Sequence, residues 1–386
     1  MPDHVNDALS GLRIAVIGGS YAGLCAGLAL RCVGADVDIY ERSAQPNRTG
    51  GGIVMQPDFA DYLEAFGYAR PETVAVPTVG RRFLNRDGSI AREVPDATFY
   101  TGWDTVLNAL RDAFGPNRLH AGRTLASVEG GAEDDGDGVV ATFADGTRTE
   151  ADLLIGADGI GSAVRRQLEP DVVPVYAGYV GYRGLLRESA LSDEQLELFR
   201  DRFVLYGYPH SHVLCYLIPG EGGTLGAGSR RFNWVWYVSQ TPEELRSLLT
   251  DLDGVTHRSS LGPGEMADQW ADRLRERARA DLPSLLAEAV ERTESPFVQA
   301  IFDMEVSRMV HGRSVLLGDA AFLVRPHTAS GASKAAADAI ALAHRLGDAG
   351  SATTEALEGW ELERMAATCQ IVHLGRMIAA RGGLGS

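Results

Sequence analysis

A glycine-rich hexapeptide near the start of the chain has the residue types and spacing of a dinucleotide-binding turn. Its residues are Gly18, Gly19, Ser20, Tyr21, Ala22 and Gly23, with Ser20 at the usual position of the second glycine. Gly18 can form the tight turn, the small Ser20 lets a pyrophosphate approach the next helix, and Gly23 allows that helix to pack closely. Glu41 ends the next predicted strand, where a carboxylate can bind ribose hydroxyl groups. The segment therefore predicts an adenosine dinucleotide site.

Two aspartates at the ends of predicted strands would extend that site. Asp158 follows the apolar run 151–155 and Asp319 follows the run 315–317, each beside a glycine. Both could supply carboxylate and backbone contacts to a long ligand. Because no second stretch of the sequence has the G-x-G-x-x-G spacing, we predict one tightly held dinucleotide and no second Rossmann unit. This favours FAD over a plain NAD dehydrogenase.

The elements that must position these residues follow from hydrophobic periodicity and turn residues. Residues 14–41 predict a strand, a glycine turn, an Ala/Leu-rich helix and a second strand, which together form a parallel βαβ unit. Residues 118–150 predict a β-meander around the acidic stretch 133–138. A second, mostly antiparallel sheet is predicted from the runs 179–186, 203–208, 213–218 and 232–238. Helices are predicted at 242–252, 266–280, 283–292, 330–346 and 354–380.

These elements predict an α/β fold. The chain has 386 residues, which at about 150 residues per domain suggests two or three domains. We expect a discontinuous, Rossmann-like FAD-binding domain and a substrate domain built on the mostly antiparallel sheet. The predicted boundaries are 1–75, 99–170 and 295–345 for the FAD-binding domain, 76–98 and 171–294 for the substrate domain, and 346–386 for a C-terminal helical segment.

Taken together, three segments resemble the class A flavoprotein aromatic hydroxylases of the para-hydroxybenzoate hydroxylase type. They are Leu153–Gly159 with Arg165, Gly318–Ala321 with Pro326 and Gly331, and the pair Glu41-Arg42. The resemblance covers nearly the whole chain, and the runs 51–57, 176–179 and 308–338 look like the hydroxypyridine-hydroxylating subgroup. Three positions depart from the family pattern, because Phe322 replaces a histidine, Ser333 replaces an asparagine, and Trp103-Asp104 stands where many members carry Arg-x-x-Leu.

The resemblance implies a monooxygenase activity. NADH or NADPH would reduce FAD, O₂ would add to form the C4a-hydroperoxide, and one oxygen atom would pass to a small electron-rich aromatic or N-heteroaromatic ring of the hydroxypyridine kind. The resemblance also implies the cofactor-binding residues, namely Gly18, Ser20, Tyr21, Ala22, Gly23, Glu41, Arg42, Gln56, Leu125, Asp158, Asp319, Gly331, Ala332 and Ser333. The last three begin a predicted helix whose N–H groups would stabilise negative charge on the flavin.

Candidate catalytic and substrate-binding residues lie outside the dinucleotide turn. Pro326 and His327 occupy the loop that the family places over the flavin face, where a histidine could orient or deprotonate a ring hydroxyl. An ordinary loop histidine is the equally weighted alternative. Four tyrosines on predicted strands could wall an aromatic site, although sheet core is the simpler interpretation; they are Tyr182, Tyr206, Tyr208 and Tyr216.

Composition and motifs exclude several other classes. The net charge of −16 disfavours nucleic-acid and membrane-surface partners, and no uncharged apolar run is long enough to span a bilayer. Of the four cysteines, Cys25 and Cys32 would lie beyond disulfide reach on one helix. With no export signal at the start of the sequence, this predicts a reduced, cytoplasmic protein, with a homodimer left open. No metal-ligand spacing is present. The expected partners are a small aromatic substrate and O₂.

The sequence leaves two alternatives to ring hydroxylation open. The same fold could support an epoxidase or a flavin-dependent reductase acting on an alkene or isoprenoid. It could also serve a redox-silent carrier that resembles the FAD-fold proteins binding lipidated partners. Retention of the Asp158 and Asp319 motifs argues against the carrier.

Overall fold

The computed structural model describes residues 7–45, 50–131 and 138–385. Its strands are β1 (Arg13–Ile17), β2 (Asp36–Glu41), β3 (Gly52–Met55), β4 (Val76–Leu84), β5 (Ile90–Gly102), β6 (Leu119–Ala121), β7 (Leu125–Gly130), β8 (Val139–Phe143), β9 (Arg148–Ala151), β10 (Leu153–Gly156), β11 (Val175–Arg187), β12 (Arg202–Tyr208), β13 (Ser211–Ile218), β14 (Arg231–Ser239), β15 (Ser260–Leu261), β16 (Phe297–Glu305), β17 (Val310–His311), β18 (Ser314–Leu316) and β19 (Phe322–Leu323). The helices are α1 (Tyr21–Cys32), α2 (Pro57–Ala65), α3 (Pro71–Val74), α4 (Trp103–Phe114), α5 (Ala163–Leu168), α6 (Asp193–Phe199), α7 (Pro242–Leu248), α8 (Asp268–Asp281), α9 (Ser284–Glu291), α10 (Gly331–Ala349) and α11 (Thr354–Arg381).

A six-stranded sheet gathers the ends of the motif-bearing strands. Its order is β17-β18-β10-β1-β2-β6, and its strands pair in parallel except for β17. Ile14 pairs with both Val37 and Leu153, so the predicted βαβ unit is present. Strands β10 and β18 are buried along their whole length, as expected for parallel strands covered on both faces. The carboxyl ends of β1, β2 and β10 therefore meet at one edge, the usual ligand position in such sheets.

A small antiparallel sheet, β7-β8-β9, forms the predicted meander. Leu125 begins β7 and is buried in the core that surrounds the six-stranded sheet. Of the acidic stretch predicted at 133–138, only Gly138 belongs to the described residues.

The larger sheet has ten strands in the order β15-β16-β11-β14-β13-β12-β4-β5-β3, with β19 paired to β16. All its pairs are antiparallel except β4 with β12, which confirms the prediction of a mostly antiparallel second sheet. One face packs against helices α6 to α9 in a continuous apolar cluster. This packing leaves the opposite face of the sheet for a ligand.

That opposite face is partly covered by its own edge strand. The Asn233 side chain on β14 accepts a hydrogen bond of 2.8 Å from the backbone N–H of Gly52 on β3, five strands away in the sheet. The sheet must curl to bring these two residues together. We call the inner side the concave face; the residues considered on it are Tyr179, Arg183, His212, Tyr216, Asn233 and Tyr237.

The end of the chain closes one side of the concave face. Helix α11 packs along α10, and Leu384 beyond it is fully buried in a cluster with Tyr179 and Tyr237. The domain boundaries given above stay a prediction; β3, within the segment expected to bind FAD, belongs to the ten-stranded sheet. In the described part of the chain, no helix combines the length and apolarity needed to cross a membrane.

Candidate active site

The turn between β1 and α1 is too tight for side chains. A Cβ atom on Gly18, whose φ is +110°, would lie 2.4 Å from the carbonyl oxygen of Ala157, and one on Gly23 would lie 1.8 Å from that of Gly18. Ser20 is the N-cap of α1, yet within the described residues its side chain caps no backbone N–H. The first N–H groups of α1 are therefore available to an anion.

Glu41 is fixed at the end of β2 by backbone donors. Its carboxylate accepts hydrogen bonds from the N–H groups of Gly19 at 2.7 Å and Ser43 at 2.8 Å. The carboxylate thus lies directly beside the glycine turn, where the sequence placed a ribose contact. The adjacent Arg42 is exposed.

Asp158 has a local structural partner. Its carboxylate accepts hydrogen bonds from the Ser162 hydroxyl and from the N–H groups of Ala163 (2.6 Å) and Val164 (3.3 Å), which begin α5. The sequence assigned this side chain to the cofactor, whereas the structure shows it capping a helix. Backbone groups of the same turn stay available for ligand contacts.

The Asp158 and Asp319 turns are joined by a buried arginine. Arg165 is 2 % exposed and donates hydrogen bonds to the carbonyl oxygens of Ala320 at 3.0 Å and Ile160 at 2.6 Å. The Asp319 side chain is exposed, although both its neighbours are buried. Since a Cβ on Gly318 would lie 2.7 Å from the Cβ of Ala22, the Asp319 turn lies against the first turn of α1.

The N terminus of α10 lies at the other end of this region. Gly331, Ala332 and Ser333 form its first turn, and the N-cap Ser330 makes no side-chain cap within the described residues. In the same part of the chain, the Ser333 hydroxyl is buried without a hydrogen-bond partner. Gln56, the N-cap residue of α2, donates a long hydrogen bond of 3.4 Å to the carbonyl oxygen of Thr328. This bond connects the start of α2 to the loop that precedes α10.

His327 lies in the loop before α10, within a short turn that begins at Pro326. Its ring packs against residues of the concave face. Its Nε2 is 2.8 Å from the Tyr179 hydroxyl, and its ring lies 4.8 Å from that of Tyr237 and 5.1 Å from that of His212. Burial, with smaller contributions from His212 and Arg325, lowers the pKa of His327 to about 3. The imidazole is therefore neutral at physiological pH and is a weak proton acceptor.

Arg183 and Asn233 on the concave face lie under the glycine-rich segment 50–52. A Cβ on Gly51 would lie 2.5 Å from an Arg183 Nη atom, and one on Gly52 would lie 2.5 Å from the Tyr216 ring. The Arg183 Nε and Asn233 Nδ2 atoms are buried and have no hydrogen-bond partner within the described residues. Neither residue was predicted from the sequence. Two signals could have identified them. Arg183 lies four residues after Tyr179 on β11 and therefore on the same face of the strand, and Asn233 is a polar residue in an otherwise apolar part of β14.

The structure does not bring the four candidate tyrosines together. Tyr182 pairs with Trp236, Trp236 with Val213, and Val213 with Tyr206, so this row shares one face. It is the face packed on the helices, where the Tyr208 hydroxyl also donates to Asp281 of α8 at 3.1 Å. Tyr216 alone of the four lies on the concave face. Because side chains alternate along a strand, the sequence could not show which face the helices cover.

Tyr21 and the segment 103–104 have structural partners as well. The Tyr21 ring packs against Phe59 and Trp103, and its hydroxyl donates to the Trp103 carbonyl oxygen at 2.9 Å. Asp104 forms an ion pair of 2.9 Å with Arg231. Tyr21 can therefore contact a cofactor through its backbone N–H, while its side chain belongs to the core.

These features fit an extended dinucleotide. One connected region lies beside Glu41. It contains the tight turn at Gly18, the N termini of α1 and α10 without side-chain caps in the described residues, and the exposed Asp319. The unpartnered Ser333 hydroxyl supplies a donor that a ligand would satisfy. Just before α10, His327 connects this region to the concave face through its contact with Tyr179.

Comparisons with known proteins agree with this geometry. A family model described as FAD binding domain-like matches residues 176–303. The chain is 38% identical to 2,6-dihydroxypyridine 3-monooxygenase of Paenarthrobacter nicotinovorans over 86% of this chain and 82% of that protein. It is 30% identical to 3-amino-4-hydroxybenzoate 2-monooxygenase of Streptomyces cremeus over 95% of this chain and 87% of that protein. The solved structure of 2,6-dihydroxypyridine-3-hydroxylase from Arthrobacter nicotinovorans superposes with a TM-score of 0.90 at 34% identity, covering 98% of this chain and 94% of that one.

Proposed function

Because the chain belongs to the FAD-dependent aromatic-ring monooxygenases, we propose that it hydroxylates a hydroxypyridine-like ring, with 2,6-dihydroxypyridine as the first candidate. Family membership confirms the prediction of an FAD enzyme that uses a nicotinamide nucleotide and O₂. It also favours ring hydroxylation over the alkene and carrier alternatives. The choice of ring rests on the relative with 38% identity, which is named for its action on 2,6-dihydroxypyridine.

We assign the cofactor contacts to the connected region between Glu41 and α10. The Glu41 carboxylate takes the adenosine ribose, the N terminus of α1 takes the pyrophosphate, and Asp319 takes the ribityl hydroxyl groups. Bound FAD supplies the reaction with electrons from the nicotinamide nucleotide and with the activated oxygen atom. The N–H groups of Gly331, Ala332 and Ser333 lie at the N terminus of α10, which is the positive end of the helix dipole. They stabilise negative charge on a group bound beside them.

The concave face binds the ring. The observation that carries this assignment is that three unpartnered buried side-chain nitrogens, on Arg183, Asn233 and His327, occur beside the segment 50–52 and the loop before α10. Unpartnered polar atoms of this kind are costly unless a ligand pairs with them. Tyr216 and Tyr237 add apolar ring surface that excludes water.

The test is a substrate panel on the purified, FAD-loaded protein. NADH or NADPH oxidation and O₂ uptake are measured with 2,6-dihydroxypyridine, 3-amino-4-hydroxybenzoate and 6-hydroxynicotinate, and products are identified by mass spectrometry. We expect hydroxylated product in proportion to nucleotide consumed with the dihydroxypyridine. If only 3-amino-4-hydroxybenzoate is turned over, the substrate is a benzoate and the proposed pyridine ring is wrong. A protein that binds no FAD would contradict the proposed function as a whole.

We also propose a reducing compartment, such as the cytoplasm, as the place of action. Its support is that Cys25, Cys32, Cys215 and Cys369 are all free thiols. The homodimer left open by the sequence stays a prediction, which light scattering on the FAD-loaded protein measures.

A further inference from the structure

A row of charged groups adjoins His327 in the sequence and in space. Arg325, two residues earlier in the chain, donates two hydrogen bonds to the Asp303 carboxylate, at 2.9 and 2.7 Å. The two side chains are 6 % and 19 % exposed. Arg376 of α11 approaches the same carboxylate at 3.6 Å and pairs with Glu305 at 2.8 Å. These contacts fix the plane and position of the Arg325 guanidinium.

Arg325 also interacts with Tyr179. The guanidinium carbon lies 5.7 Å from the Tyr179 ring centroid. A guanidinium has only donors, so Arg325 cannot accept the Tyr179 hydroxyl proton. Burial raises the pKa of Tyr179 well above its usual range, which keeps the hydroxyl proton in place. That proton therefore needs an acceptor of its own.

The acceptor at hand is His327. Its Nε2 lies 2.8 Å from the Tyr179 hydroxyl. If Nε2 instead carried a proton, it would donate to the hydroxyl oxygen, and the tyrosine proton would have no other hydrogen-bond partner within the described residues. A neutral imidazole that accepts at Nε2 carries its own proton on Nδ1.

The surroundings keep the imidazole neutral. His212 and Arg325 are the groups that, besides burial, lower the pKa of His327, and the Tyr179 and Tyr237 rings flank it. Burial lowers the pKa of His212 itself to about 4, so it adds no fixed charge. Nδ1 is buried and has no partner within the described residues. An N–H in that position needs an acceptor from a ligand.

We propose that Asp303, Arg325 and Tyr179 hold His327 in the tautomer with its proton on Nδ1, so that His327 donates a hydrogen bond to an oxygen of the bound ring. Tyr179 and Arg325 are positioning residues, which act through His327. This inference rests on the proposed function and narrows it: the ring offers His327 an oxo or deprotonated hydroxyl oxygen. It also changes the sequence-based hypothesis, because an Nδ1 that carries a proton cannot deprotonate a ring hydroxyl.

The tautomer can be read directly by nitrogen-15 NMR on FAD-loaded protein with labelled histidine. The His327 resonances are assigned by comparison with His327→Gln. We expect a protonated Nδ1 and an unprotonated Nε2 throughout the range from about pH 5.5 to about pH 8.5, in which an ordinary histidine titrates. A protonated Nε2, or a titration near the ordinary histidine pKa, would overturn the proposal. This measurement needs no substrate, so it stands apart from the choice of ring.

A second experiment tests the positioning role. In Tyr179→Phe we expect the Nδ1 tautomer to lose its dominance and the dissociation constant of 2,6-dihydroxypyridine, followed by flavin absorbance, to rise about five- to tenfold. Tyr176→Phe is the matched control, since its hydroxyl on the same strand donates to the carbonyl oxygen of Gln240, and it should change neither. An unchanged tautomer in Tyr179→Phe would contradict the role of Tyr179.

A ligand titration identifies the acceptor. We expect the Nδ1 resonance of the wild-type protein to move when 2,6-dihydroxypyridine is added. If the Nδ1 resonance does not shift on addition of 2,6-dihydroxypyridine and shifts only when the flavin is reduced, the flavin is the acceptor. That result would overturn the proposed hydrogen bond from His327 to the substrate. Absence of dihydroxypyridine binding by flavin absorbance would instead count against the proposed substrate, while the ligand-free tautomer remains measurable.

Discussion

Arg183 is a partly buried cation that forms no ion pair within the described residues, and it lies on the concave face beside Gly51. An anionic ring would give it the missing partner. We therefore predict that Arg183→Gln raises the KM for 2,6-dihydroxypyridine at least tenfold and changes kcat less, because a hydrogen bond to a charged group contributes about 1.5–3 kcal/mol. Steady-state kinetics with FAD content as a second readout measure this.

The control for Arg183→Gln is Arg187→Gln on the same strand. The Arg187 side chain is 79 % exposed and lies 3.8 Å from Glu221, so its loss should leave the KM unchanged. A KM that is unaffected in Arg183→Gln would place the anionic group of the ring elsewhere.

His212 and His327 make folding stability depend on pH. Burial lowers the pKa of His212 to about 4 and that of His327 to about 3, whereas both titrate near their ordinary value when unfolded. Below about pH 6.5 the two histidines therefore bind protons in the unfolded chain but stay neutral in the folded chain. The free energy of unfolding falls as the pH falls. We predict a loss approaching about 1.4 kcal/mol per pH unit for each histidine at about pH 5.

Urea unfolding of the FAD-loaded protein at about pH 7, 6 and 5 measures this slope. The double variant His212→Gln with His327→Gln should show a flatter profile over the same range. If the two profiles run parallel, other groups cause the pH dependence and the histidines are not held neutral.

Helices α10 and α11 are joined to the Asp319 turn by a buried charge cluster. Lys334 of α10 donates to the Gly318 carbonyl oxygen at 3.1 Å and to Asp338 at 2.9 Å, and Arg364 of α11 donates to Asp338 at 2.9 Å. Lys334 is 1 % and Asp338 0 % exposed. The cluster thus positions the turn that we assign to the ribityl chain.

We predict that Asp338→Asn lowers the free energy of unfolding by about 3–5 kcal/mol, because it leaves two buried cations without their shared carboxylate. It should also weaken FAD binding, since the Gly318 N–H loses its charged acceptor at 3.2 Å. Glu363→Gln removes an exposed pair with Arg345 and should change stability by less than about 1 kcal/mol. Urea unfolding and flavin fluorescence measure both effects; equal stabilities in the two variants would contradict the account.

Elements set by local sequence signals were predictable. The βαβ unit, the meander and the strands of the second sheet follow from alternation and turn residues, which act over a few neighbours. Which face of a strand meets a ligand depends on distant helices, and for that reason Tyr206 was assigned to the site while Arg183 was overlooked. The capping role of Asp158 was hidden as well, because a motif fixes residue types but not the partner of each side chain.

At the scale of the whole molecule, the segment that follows α11 closes one side of the proposed ring site. Leu384 is fully buried in a cluster with Tyr179 and Tyr237, the two rings that contact His327. We predict that Leu384→Ala keeps FAD but releases more H₂O₂ per nucleotide consumed, because water gains access where the leucine was removed. Leu374→Ala on α11, where the leucine is 46% exposed, is the control. A peroxide yield equal to that of the control would show that the chain end does not seal the site.

The most direct test of the whole account follows the oxygen atom. FAD-loaded protein is given 2,6-dihydroxypyridine and NADH or NADPH under oxygen-18 gas, and the product is analysed by mass spectrometry. We expect one labelled oxygen atom on the ring for each nucleotide oxidised. Nucleotide oxidation that yields only H₂O₂, or a ring oxygen that comes from water, would contradict it.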